Sequence, residues 1–157
     1  MTPAELKTMR ESLGLTAQWL ADQAGVKLRS VQYWESGRSP VPEDVAGMIN
    51  QIEASINYAV GQAVEIINAA KKKQGCYPEL VALVRYRTDE DLWRFRGDMR
   101  PLPATAHAEL LARLTRELSK MGVEFRIVYM EVATYIEWLG NRSDNESTRA
   151  EWASQQV

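Results

Sequence analysis

The sequence is short of the groups that chemistry usually requires. It holds one cysteine, Cys76, and one histidine, His107. A lone cysteine excludes an intrachain disulfide and a cysteine-cluster metal site. With one histidine there is no metal-ligand spacing, and neither a glycine-rich phosphate loop nor a nucleophile elbow is present. The chain is therefore not expected to be an enzyme or to need a cofactor or metal. Long hydrophobic runs are missing too. None approaches the ~18 residues of a membrane span, and no signal-peptide pattern opens the chain, so a cytoplasmic protein with no membrane partner is expected. Positive charge is not in excess: the net charge is −2. That argues against a body that binds nucleic acid by uniform basicity, though not against one local basic face. The remaining composition, 45% apolar and 25% charged over 157 residues, is that of a globular protein able to bury one large core or two small ones.

The most informative stretch runs from Val26 to Arg38. Read as a helix, it turns Val31 and Trp34 towards a core. Arg29, Gln32, Tyr33 and Ser36 fall at i, i+3, i+4 and i+7 and share the opposite face. Gly37 ends the helix where a left-handed residue costs little. Between Ala24 and Arg38 stand three bases, Lys27, Arg29 and Arg38, against one acid, Glu35. Upstream, a first helix starts at Thr2 or Pro3, places Leu6, Met9, Arg10 and Leu13 at helical spacing, and stops at Gly14. Thr16 caps a second helix running to Ala24. Ala21 is small enough for two helices to cross closely, Gly25 suits the tight turn between them, and Val31 anchors the second of the pair one turn in. This is helix-turn-helix spacing.

The residues Leu6, Arg10, Leu13 to Thr16, Leu20, Ala21, Gly25, Val26, Val31 and Trp34 to Arg38 fall in step with one family. The chain resembles the Cro/phage-repressor (XRE) type of DNA-binding domain over roughly its first third. The phrase from Gln32 to Ser39 followed by Val41 and Pro42 resembles a narrower branch, the YdiL-like proteins, which includes anti-CRISPR-associated phage autorepressors. The likeness implies a structural ion pair between Arg10 of the first helix and Glu35, which would take Glu35 out of the groove. There are departures: Ala17 stands where many such domains carry a DNA-contacting Gln, and Lys27 and Leu28 replace the small polar residues that usually open the recognition helix.

Pro42, Glu43 and Asp44 open a further helix, whose pattern continues to about Lys73. Val45, Ile49, Ile52, Ile56, Ala59, Ala63, Ile66 and Ala70 alternate spacings of four and three, as in an a/d seam; both a dimer seam and an intrachain core helix fit that pattern. Gln74 to Pro78 reads as a loop and Leu80 to Arg87 as a strand with Leu80, Ala82, Val84 and Tyr86 on one face. Thr88 and Asp91 suggest a capped short helix, and the acids from Asp89 to Asp91 suit its start. A helix over about 104–121, a strand over 123–130 and a short helix over 132–139 follow. His107 shares the stripe of Leu111 and Leu114, which predicts a partly buried, hydrogen-bonded imidazole. From Asn141 the chain is polar and unpatterned, which predicts a disordered tail, with Trp152 unexplained. The expected architecture is mainly α with a small α+β C-terminal module. A helix-turn-helix domain with its long helix fills residues 1–75, a β-α-α-β-α dimerisation domain residues 76–140, and a tail residues 141–157.

The function expected is that of a sequence-specific DNA-binding transcriptional repressor, a homodimer on an inverted-repeat operator that autoregulates its operon. Arg29, Gln32 and Tyr33 are the candidate base contacts, and Lys27, Ser30, Ser36 and Arg38 the candidate backbone contacts. Two alternatives remain open: an RNA-binding translational repressor using the same face, and an antitoxin-like regulator whose C-terminal module holds a protein.

Overall fold

A computed structural model describes residues 1–156. It divides into two compact units, Met1–Ala59 and a second from Val60 onward. The division lies inside the long helix, whereas the sequence pattern places a boundary in the loop from Gln74 to Pro78. Packing, not chain continuity, sets it: the apolar residues of the helix's first half are needed to close the N-terminal core.

In the first unit, α1 (Pro3–Ser12) begins with a capping box in which Thr2 and Glu5 satisfy each other's backbone groups, with Pro3 in the first turn. Helix α2 (Ala17–Ala24) is capped by the Thr16 side chain and ends on Gly25, whose φ of 66° is left-handed. Helix α3 (Leu28–Glu35) follows after a turn in which the Val26 amide donates to the Ala21 carbonyl at 2.9 Å. Leu6, Leu13, Leu15, Leu20, Ala21, Val31 and Trp34 are buried, as are Val45, Ile49 and Ile56 of α4 (Glu43–Gln74). The a/d row of α4 is thus split: Ile56 is 2% exposed, but Ile66 is 70% exposed.

The second unit contains β1 (Val81–Arg85), α5 (Asp89–Phe95), a single 3₁₀ turn (Gly97–Met99), α6 (Ala104–Met121), β2 (Phe125–Tyr129), α7 (Val132–Leu139) and α8 (Glu146–Ser154). The strands pair in parallel, Val81 opposite Phe125 and Arg85 opposite Tyr129. Parallel pairing requires a crossover, supplied here by α5 and α6. The core gathers Ala82, Tyr86, Leu92, Met130, Tyr135 and Trp152, with Val84 and Val128 packed against it. Pro103 precedes α6 and has no side chain able to cap it, so Asp89 does so from a distance, accepting from the Ala104 amide at 2.7 Å.

Two expectations need correction. Residues 146–154 form α8 and are not a disordered tail; only Val157 lies outside the described residues. Asn145 and Thr148 make a capping box, and Trp152 is 1% exposed, its ring edge-on to Tyr135 at 5.6 Å. Asp144 ties the helix down by accepting from Tyr135 Oη at 2.5 Å and from Arg149 Nη1 at 2.6 Å. The anchoring residues are charged or aromatic and widely spaced, so the segment reads as polar. His107, expected to be hydrogen-bonded and partly buried, is 4% exposed with no hydrogen-bond partner for Nδ1 among the described residues. Tyr86 packs edge-on to it at 5.2 Å. Burial, then the charge of Arg96, pushes the imidazole down to about 4.

Candidate nucleic-acid interface

The first unit presents one face built from α3 and the turn after it. Val31 and Trp34 are inward, 0% and 8% exposed, and fix the rotation of the helix about its axis. Lys27, Arg29, Gln32, Ser36 and Arg38 are then exposed, and Ser30 and Tyr33 are half-buried. The helix end is closed by Gly37, at φ 75°. Behind it the Tyr33 carbonyl accepts from the amides of Arg38 at 2.9 Å and Ser39 at 3.2 Å, so the chain folds back and keeps Arg38 beside α3.

The electrostatics follow from one ion pair. Arg10 Nε donates to Glu35 Oε1 at 2.6 Å and Nη2 to Oε2 at 3.2 Å, a two-pronged contact, while Nη1 donates to the Leu15 carbonyl at 2.7 Å. The two side chains are 8% and 11% exposed. Glu35, the single acid between Lys27 and Arg38, is neutralised inside the fold. What faces solvent from this stretch is three positive charges, the Gln32 amide and the Ser36 hydroxyl, with Ser30 and Tyr33 half-buried beside them. A local positive face of this kind attracts a phosphate backbone at contact range despite a negative net charge. The exposed Arg29 guanidinium and Gln32 amide offer donor and acceptor patterns that match base edges.

The structure adds contacts that helical spacing alone does not give. Arg29 Nε donates to Tyr33 Oη at 2.6 Å. The guanidinium carbons of Arg29 and Arg38 stand 5.4 and 5.0 Å from the centre of the Tyr33 ring. The four-residue step from Arg29 to Tyr33 permits the first contact. The second depends on the turn at Gly37, which no periodicity reports.

The N-terminal unit matches a family of helix-turn-helix domains over residues 4–54. The chain is also 32% identical over 117 residues to the Aca2 repressor of Pectobacterium phage ZF40, a match covering 71% of this chain and 100% of that one. The chain belongs to the Aca2 family of helix-turn-helix repressors. The aligned span is more than twice as long as the 4–54 match, so the likeness to Aca2 includes residues outside the helix-turn-helix domain. In this chain the α2–α3 pair places Arg29 and Gln32 on its outer side and Trp34 within. Among the described residues no helix is long and apolar enough to cross a membrane, and no three His, Cys, Asp or Glu residues are grouped to hold a metal.

Proposed function

We propose that this protein represses transcription by binding an inverted-repeat operator as a homodimer, and that the operator lies at its own operon. In this reading α3 enters a major groove. Arg29 forks onto guanine and Gln32 onto adenine, while Lys27, Ser30, Ser36 and Arg38 hold phosphates and set the register. Tyr33 lies between the two groups. The observation that carries the reading is the solvent face formed by α3 and the residues that flank it: Arg29 and Gln32 on the helix, Lys27 before it and Arg38 after it all outward, with Glu35 drawn inward by Arg10.

The homodimer is supported by the second unit. A two-stranded sheet is marginal alone, and here Ile127 and Tyr129 of β2 are each 43% exposed. A second copy would cover that apolar surface and supply the second half-site. Two recognition helices related by a twofold axis read half-sites about 34 Å apart or a multiple of it.

Selection of bound duplexes from a random pool tests the proposal. The expected winner is palindromic, with half-sites separated by a whole number of helical turns. Recovery of no enriched duplex, alongside an enriched hairpin from a parallel RNA pool, would replace transcriptional with translational control.

A further inference from the structure

We propose that Tyr33 is the positioning residue of this interface, holding the Arg29 guanidinium in the orientation that reads guanine and seating Arg38 beside it. The inference rests on the reading that α3 enters a major groove, and it gives Tyr33 a different task from contacting a base.

An exposed arginine is a poor reader until it is ordered. Its side chain has many rotamers, and ordering them on binding costs free energy that a preorganised side chain does not lose. Arg29 is exposed, yet its Nε is already engaged: it donates to Tyr33 Oη at 2.6 Å. The guanidinium is a planar fork with five donors. With Nε taken, the end-on pair Nη1 and Nη2 remains, and that pair can reach guanine O6 and N7 together. The hydroxyl therefore selects which edge of the fork is offered as well as where it points.

The same residue organises the other charge. The Tyr33 carbonyl accepts from the Arg38 and Ser39 amides and from Ser36 Oγ at 3.3 Å, so the turn beyond α3 is fastened to it. The Arg38 guanidinium then lies 5.0 Å from the ring centre, within cation–π range. Two like charges that would otherwise repel are both attached to one aromatic ring. Tyr33 is itself half-buried, which steadies the ring against the helix.

The test uses the full-length protein, the duplex selected from the random pool, single-pair variants of it in which each guanine is replaced in turn, and a scrambled duplex. Tyr33→Phe keeps the ring and loses only the hydroxyl. It is expected to lower the preference for guanine at the Arg29 position about five- to tenfold, with scrambled-duplex affinity held within about twofold. In an Arg29→Ala background, Tyr33→Phe is expected to change nothing further, since there is no guanidinium left to orient. Tyr33→Leu, which removes the ring as well, is expected to weaken scrambled-duplex binding too, because Arg38 loses its seat. Full guanine preference in Tyr33→Phe, with that preference lost in Arg29→Ala, overturns the positioning role and leaves the groove reading intact. Additive losses in the double variant overturn it by showing that Tyr33 reads a base independently. An Arg29→Ala protein with unchanged guanine preference overturns both.

Discussion

Helices α3 and α8 are nearly the same length, eight and nine residues, and each carries one arginine and one tryptophan. They use them in opposite ways. In α3 the tryptophan goes in and the arginine stays out: Trp34 is 8% exposed and Arg29 faces solvent. In α8 both go in, Arg149 at 7% and Trp152 at 1% exposed. The buried guanidinium of α8 donates through Nη1 to both Asp144 Oδ2 and the Phe95 carbonyl, which makes it a tie within the second unit. The exposed guanidinium of α3 is held by one neutral hydroxyl and keeps its remaining donors for a partner. A buried charge needs its own counter-charge, and an exposed one can be reserved for binding. The side chain that decides between the two uses is the nearby acid: Asp144 lies against Arg149, whereas Glu35 is drawn away from Arg29 by Arg10.

The largest effect is expected where this contrast is cut on the structural side. Trp152→Ala should destabilise the second unit by ~3–5 kcal/mol, the usual cost of removing a fully buried large aromatic, read as a drop in the chemical-denaturation midpoint. A change below about 1 kcal/mol would mean that α8 is not part of the folded core.

Next comes pH. The folded-state pKa of His107 is lowered from 6.5 to about 4 by burial and by the charges of Arg96, Arg149 and Arg85, with Asp98 opposing. The unfolded chain therefore binds a proton between those values while the folded chain does not. Stability from this group is intact above pH 6.5 and is lost as pH falls towards 4, by about 3 kcal/mol in all. His107→Gln should show a shallower fall of stability with pH over that interval; an identical slope would place His107 outside the acid response.

On the functional side, Glu35→Ala leaves Arg10 deprived of its two-pronged partner with the side chain 8% exposed. The expected loss is ~2–3 kcal/mol, measured by thermal or urea unfolding. Operator affinity should fall with it, since α3 loses its tie to α1. Retained stability would show that the Leu15 carbonyl alone satisfies Arg10.

The contrast between the helices also explains what could be read in advance. The α1–α3 core and the length of α4 follow from local signals: Thr2 and Thr16 caps, left-handed glycines at Gly14 and Gly25, and unbroken 3.6-residue periodicity. Helices α6 and α7 are legible for the same reason, since Gly122 and Gly140 mark their ends. The parallel pairing of β1 and β2 is not, because it joins residues some forty positions apart and depends on how the intervening helices pack. Nor is α8, whose inward residues are too few to make a stripe and whose stability rests on Asp144, Tyr135 and Phe95. At the interface, the polar face of α3 was evident from spacing. The sharing of Tyr33 by Arg29 and Arg38 was not, because it arises from a turn and from rotamers.

The account stands on α3 reading bases through its outer face, and titration of Arg29→Ala and Arg38→Ala against operator and scrambled duplexes addresses that directly. Arg29→Ala is expected to lose ~1–3 kcal/mol on the operator and almost nothing on the scrambled duplex. Arg38→Ala should weaken both alike and reduce the salt slope by about 1. Equal losses on both duplexes for Arg29→Ala, or no loss on either, would contradict it.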